Sequence, residues 1–211
     1  MRITKFGHAC LLIEEADAKI LIDPGAYSDG FETLGVQAVL ITHQHPDHLM
    51  PPNIAKLAAA NPGLKVYADE GSFSKLEDMP ELDVHAVHAG EEFEVGRVKV
   101  QVVGTDHAVI HPTIPGIPNV GYFIAKRFFY PGDNFTQPEE PVEILAIPDG
   151  APWLKISEAI DYLLAVHPDV AIPVHDAVLA IPEMNEGLLK RFAEPVGLEL
   201  KVLTKGQPIE I

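Results

Sequence analysis

"ITHQHPDH", residues 41–48, decides how this chain is read. It gathers His43, His45, Asp47 and His48 directly behind the apolar run Val39-Leu40-Ile41. A metal site needs lone pairs that converge, and neutral imidazole and carboxylate are the usual donors for zinc and related divalent ions. His43 and His45 stand two apart, so an extended backbone points both the same way, toward one ion. Pro46 then restricts the backbone. Asp47 and His48 lie on the following turn, offset enough to face a second ion. Asp47 suits ligation there, or acid–base work beside a single ion. The plainer reading is a solvated histidine-rich loop, and the buried strand behind the cluster argues against it.

A working site requires further ligands, each at the end of a strand. Three candidates follow apolar runs. His107 closes Gly104-Thr105-Asp106-His107, Asp133 sits in Tyr130-Pro131-Gly132-Asp133-Asn134, and His175 follows Val170-Ala171-Ile172-Pro173-Val174. Loop residues just beyond sheet ends are where functional side chains commonly converge.

The rest of the chain supplies those strands. Apolar runs bounded by turn residues predict strands over 2–6, 10–14 and 19–22, ending at Asp23-Pro24-Gly25, and a doubly buried strand over 36–42. A helix is predicted over 54–60 behind Pro51-Pro52, a strand over 64–68 and a helix over 69–77. Strands follow at 82–87, 91–95 and 97–103, then a hairpin of 120–125 with 127–130, and a strand at 144–147. A helix over 155–166, a strand over 170–174, a helix over 182–192 and strands over 198–203 and 208–211 complete the chain. Strands first and then strands alternating with helices, twice over, predict two packed sheets with helices outside, in one domain spanning 1–211.

These motifs resemble those of the metallo-β-lactamase-fold hydrolase superfamily. Its pattern of His-x-His-x-Asp-His, a lone His, a Gly-Asp and a final His occurs here in order. The resemblance implies a four-layer αββα sandwich of two mixed sheets. It implies one metal site at His43, His45 and His107, a second at Asp47, His48 and His175, and a bridging carboxylate at Asp133. Within the superfamily, Phe6-Gly7-His8-Ala9-Cys10-Leu11-Leu12-Ile13-Glu14, Ile20-Leu21-Ile22-Asp23-Pro24-Gly25 and Ile172-Pro173-Val174-His175 resemble a branch of cytoplasmic hydrolases that includes L-ascorbate-6-phosphate lactonase. Several departures narrow the field. Common secreted metallo-β-lactamases use a cysteine in the second site, whereas Cys10 is the sole cysteine here. The longer helical tail of glyoxalase-II-type thioesterases, the inserted domain of the nucleases and the flavin domain of the flavo-diiron proteins have no counterpart.

Other residues carry weaker signals. His8, in a Gly-His turn, is a candidate for substrate contact. Asp23 ends a strand and is placed to accept a hydrogen bond from a ligand histidine's outer nitrogen. His111, in the proline-rich stretch beside His107, is a second candidate for substrate contact. Trp153, beside Ala151-Pro152, reads as a packed aromatic in preference to a residue of the pocket entrance, and His85 and His88 as structural or exposed residues.

The 211 residues are 47% hydrophobic and 22% charged, enough for a sizeable core. The net charge of −16 argues against nucleic acid, whose phosphates require a basic surface. One cysteine, no secretory leader pattern and no long apolar run predict a cytoplasmic protein with no membrane partner. The expected function is hydrolysis of an ester, lactone or phosphodiester-type bond of a small molecule by metal-activated water. Two divalent ions are expected, zinc by default, with manganese, iron or nickel also suited to His/Asp donors. An iron-dependent redox protein and a non-catalytic metal-binding module are the rivals on the same fold. Homo-oligomerisation is left open.

Overall fold

The strand that feeds residues 41–48 is buried on both faces. Ala38 and Leu40 point into one apolar cluster, while Val39 and Ile41 point into another. A strand so enclosed belongs inside a sheet with a second layer on each side. The computed structural model describes residues 1–211 and shows which layers those are.

In chain order, the first half comprises β1 (Arg2–Lys5), β2 (Leu11–Glu15), β3 (Ala18–Ile22), β4 (Ala38–Ile41), α1 (Pro51–Ala60), β5 (Lys65–Ala68), α2 (Glu70–Leu76) and β6 (Asp83–Ala86). The second half comprises β7 (Glu92–Val95), β8 (Val98–Val103), β9 (Gly121–Ile124), β10 (Phe128–Tyr130), β11 (Ile144–Pro148), α3 (Ile156–Val166), β12 (Val170–Val174), α4 (Pro182–Ala193) and β13 (Glu199–Leu200). The last strand, β14 (Ile209–Glu210), returns to the first sheet.

The first half together with β14, and the second half by itself, each build one seven-stranded mixed sheet, in the orders β14-β1-β2-β3-β4-β5-β6 and β13-β12-β11-β10-β9-β8-β7. Each opens with antiparallel strands and continues with parallel ones, β3 to β6 in the first sheet and β10 to β13 in the second. The sheets face each other across the largest apolar cluster, which includes Ile20, Leu40, Val100, Tyr122, Phe128 and Ile172. Ile54, Leu57 and Leu76 of α1 and α2 cover the first sheet, and Ile160, Leu163 and Leu189 of α3 and α4 cover the second. The architecture is the four-layer αββα sandwich expected from the pattern of elements.

Element limits differ from the sequence reading where backbone groups find other partners. The predicted strand 36–42 is trimmed to Ala38–Ile41. The Val36 N–H bonds to Asn61 Oδ1, and the Thr42 N–H to Asp23 Oδ1, instead of joining the ladder. The strand predicted over 198–203 shrinks to two residues. Leu198 packs under the helices while Leu203 packs between the sheets, so the chain must leave the ladder to reach both. No helix is long and apolar enough to cross a membrane.

Candidate metal centre

Parallel strands in both sheets end at the same rim of the sandwich, and their loops carry the polar residues. Asp23 follows β3, residues 43–48 follow β4, Asp133 follows β10, Trp153 follows β11 and His175 follows β12. His107 follows the antiparallel β8, and His8 sits in the turn between β1 and β2. Two glycines let these loops close on each other. A Cβ on Gly25 would lie 1.9 Å from the Asp47 carbonyl oxygen. At Gly132, with φ +67°, a Cβ would lie 2.3 Å from Asn119 Oδ1 and 2.8 Å from Thr42 Cβ. Glycine alone permits both approaches, and the second also demands a left-handed backbone.

The side chains that converge form three overlapping groups: His43, His45 and His107; His43, His48 and Asp133; and His8, Asp47, His48 and His175. His43 Nε2 lies 3.1 Å from His45 Nδ1. Asp133 lies at the centre. Its Oδ1 is 3.2 Å from His48 Nε2, and its Oδ2 is 3.4 Å from His107 Nε2 and 3.1 Å from His175 Nε2. Asp47 Oδ2 is 3.5 Å from His175 Nε2 and 3.9 Å from His48 Nε2. Donors about 2.0–2.1 Å from one zinc ion stand roughly 3.3 Å apart in a tetrahedron and never more than about 4.2 Å. Every one of these separations fits beneath that ceiling.

The outer ring nitrogens decide what the inner ones can do. His48 Nδ1 is 2.7 Å from Asp23 Oδ2, His107 Nδ1 is 2.5 Å from the Ala108 carbonyl and His175 Nδ1 is 2.5 Å from the Gly150 carbonyl. None of these acceptors has a hydrogen to give, so each Nδ1 carries the proton. In the neutral ring, Nε2 then presents a lone pair, and in all three histidines that lone pair faces a carboxylate oxygen of Asp133. Nitrogen and carboxylate oxygen can stand this close only with a cation between them, either a second ring proton or a metal ion. His48 Nε2, His107 Nε2, His175 Nε2 and Asp133 Oδ1 are all buried and lack a hydrogen-bond partner. The residues therefore fit a metal ion on the chemistry of the donor set.

A buried carboxylate stiffens this arrangement. Asp23, wholly enclosed, accepts the Thr42 N–H at 2.8 Å and the Thr42 hydroxyl at 2.7 Å as well as the His48 N–H. The Thr42 oxygen in turn lies 3.0 Å from His43 Nδ1. One carboxylate thus orients two histidines of the cluster.

The field matches the geometry. Burial, with His48 next, pushes the His43 pKa well below its ordinary value, which keeps that ring a neutral donor. Burial also opposes charge on His48, but Asp133 and Asp23 outweigh it and hold His48 well above the ordinary value. His175 is pushed up to about 9, because Asp133 and Asp47 overcome its burial. The carboxylate of Asp133 is held well below the usual range by His48 and His175 despite burial. The cluster is a trap for positive charge, whether supplied by protons or by divalent ions.

His8 is buried within the cluster. The Ala177 N–H donates to its Nδ1 at 3.2 Å, so Nε2 carries the proton, which it gives to Asp47 Oδ2 at 3.1 Å. His111 is exposed and bonded at 2.8 Å to Thr113 of its own loop, outside all three groups. Trp153, read from sequence as a packed aromatic, also serves the cluster: its indole N–H donates to Asp133 Oδ2 at 2.8 Å while its ring meets the edge of Phe135. Its place in the loop after β11 was the available signal. His85 and His88 lie outside the cluster. His85 stacks on Tyr67, and His88 pairs with Glu70 and Glu91.

A family model described as "Beta-lactamase superfamily domain" matches residues 2–175. The chain belongs to the beta-lactamase superfamily. Among its superfamily relatives, protein Rv0786c of Mycobacterium tuberculosis is 42% identical over 209 residues, covering 96% of each chain. A relative named UPF0173 metal-dependent hydrolase, from Methanocaldococcus jannaschii, is 28% identical over 233 residues, covering 99% of this chain and 100% of that one. Among solved structures, the metallo hydrolase Igni18 of Ignicoccus hospitalis superposes with a TM-score of 0.78 at 18% identity, covering 100% and 98% of the two chains. The metallo-beta-lactamase fold protein YhfI of Bacillus subtilis superposes at 0.76 and 16% identity, with the same coverage.

Proposed function

We propose that this metal-dependent hydrolase of the beta-lactamase superfamily works with two divalent ions and cuts an ester, lactone or phosphodiester-type bond of a small molecule. His43, His45 and His107 would hold one ion, and Asp47, His48 and His175 the other, with Asp133 shared. The observation that carries this reading is the convergence of three buried Nε2 atoms, each fixed from its outer nitrogen, on the Asp133 carboxylate. Zinc suits the donors best, and manganese, iron and nickel are also compatible with them. When bound, such ions lower the pKa of water and stabilise the charge that develops on the attacked oxygen.

The chain's own contribution is orientation. Asp23 and Thr42 fix the rings of His48 and His43. His8 fixes Asp47, and Trp153 fixes Asp133. The chain's sole cysteine, Cys10, is buried in the helix-side core and outside the cluster, so direct attack by water fits better than a thiol nucleophile.

The test is elemental analysis of the purified protein, followed by turnover of lactones, thioesters and phosphodiesters after reconstitution with zinc or manganese. Two ions per chain and metal-dependent turnover of one substrate class are expected. Turnover that survives complete metal removal would contradict the reading.

A further inference from the structure

The loops around the metal centre are poor in cations and rich in exposed apolar side chains. Across residues 6–10, 24–31, 43–50, 104–118, 131–142, 149–155 and 175–181, the one Lys or Arg is Lys155. Its side chain is 80% exposed and lies 3.6 Å from Glu158. Nearby cations are already engaged. Lys5 is buried and donates to Asp176 Oδ2 at 2.6 Å and to the Pro173 carbonyl at 3.1 Å. Lys75 donates to the Gln44 carbonyl, and Lys205 pairs with Asp29 at 2.6 Å. Helix N-termini offer no substitute for a basic cluster. α3 and α4 carry Glu158 and Glu183 in their first turns, and α1 opens on Pro51-Pro52, which lack N–H groups.

The same loops hold five of the ten exposed large hydrophobic side chains of the whole chain: Tyr27, Val109, Ile114, Val178 and Ile181. Their loops are anchored to the cluster. Tyr27 meets the edge of the His8 ring at 5.3 Å between centroids. The His107 N–H donates to the Ile117 carbonyl, in the loop that carries Val109 and Ile114. The Ala177 N–H donates to His8 just before Val178. Apolar side chains left in water beside a polar centre are the ordinary makings of a site for an apolar ligand. Recognition of a phosphate, by contrast, calls for Arg, Lys or free backbone N–H groups.

Resting on the hydrolase reading above, we infer that the substrate is an uncharged ester or lactone with an apolar substituent, and that no phosphate-bearing group flanks the scissile bond. The resemblance of the segments around His8 and Asp23 to the branch that contains L-ascorbate-6-phosphate lactonase therefore does not extend to a phosphate-recognition site. A buried methylene is worth about fourfold in affinity, so a substituent lengthened from butyl to hexyl by two methylenes gains up to about fifteenfold when these side chains cover it.

The test compares uncleaved γ-lactam analogues bound to the zinc-loaded protein by calorimetry. One series carries butyl and hexyl substituents, and a second carries a chain of matched length ending in phosphate. The hexyl lactam should bind at least tenfold more tightly than the phosphate-bearing one. Ile114→Ser combined with Val178→Ser should weaken hexyl binding several-fold at unchanged metal content. Equal affinity across the pair, or preference for the phosphate, would overturn the inference. Turnover of the matching lactones is read separately. Hexyl preference without turnover would leave the substrate class standing and count against the hydrolase reading. Turnover with phosphate preference would do the reverse.

Discussion

Asp23 Oδ2 stands 2.7 Å from His48 Nδ1, and neither side chain reaches solvent. The same carboxylate takes both hydrogens that Thr42 can offer. Replacing Asp23 with Ala therefore frees His48 to rotate and strands two buried donors. Loss of such an outer-shell partner typically lowers metal affinity 10–100-fold. Each stranded donor also costs about 1–3 kcal/mol. A chelator-competition titration of Asp23→Asn, which keeps the shape but one acceptor oxygen only, should show weaker zinc binding than wild type. Equal affinity would remove Asp23 from the account.

His8 is expected to act through Asp47. Its φ of 44° is unusual for a residue with a Cβ, and its ring is held by hydrogen bonds at both nitrogens. His8→Ala should lower occupancy of the ion at Asp47 and reduce kcat about tenfold, with KM moving less. His8→Gln, which restores a donor near the same place, should recover part of the loss. Long-range nitrogen–proton NMR should find the His8 proton on Nε2. A proton on Nδ1 would contradict the assigned role.

Gly25 is predicted to tolerate no side chain. A Cβ there would sit inside the Asp47 carbonyl, and relief requires moving the loop that carries residues 43–48. Gly25→Ala should cost about 3 kcal/mol or more, seen as a fall in Tm, and should reduce bound metal. A Tm within 2 °C of wild type would show that the loops are looser than described.

Asp149 predicts a pH effect on stability. Its carboxyl is enclosed, both oxygens lack partners, and burial, with Asp176 next, pushes its pKa up to about 7. The unfolded chain releases that proton near pH 3.9. The folded state holds it longer, so the stability tied to this group is present at low pH and is lost as pH rises through about 7. Asp149→Asn should therefore stabilise the protein by roughly 2–4 kcal/mol at pH 8, with the gain fading toward pH 4. Denaturant midpoints at the two pH values measure this, and a gain that is the same at both would contradict it.

The contrast between His107 and Trp153 shows what sequence could reveal. His43, His45, Asp47, His48, His107, Asp133 and His175 are residue types that bind metal, set at strand ends, and strand ends are legible from apolar runs. The structure does bring all seven to one rim. Trp153 is an ordinary core type, and only the packing of the loop after β11 turns its N–H onto Asp133. His111 shows the opposite case, a chemically apt residue that the fold leaves outside the metal cluster. Its closeness in sequence to His107 suggested a shared site, yet its ring bonds within its own loop. The layers were legible because helical and strand periodicities differ. The limits of β13 and β14 were not, because two-residue edge strands are set by their neighbours rather than by their own sequence.

The central claim is that Asp133 is shared by two ions held by buried histidines. Metal content after zinc reconstitution and desalting tests it most directly, with the fluorescence of Trp153, the chain's sole tryptophan, followed in parallel. Wild type should retain two ions per chain, with a fluorescence change that saturates as they bind. Asp133→Ala should retain fewer than one. An Asp133→Ala protein that stays folded and still holds two ions would contradict the account.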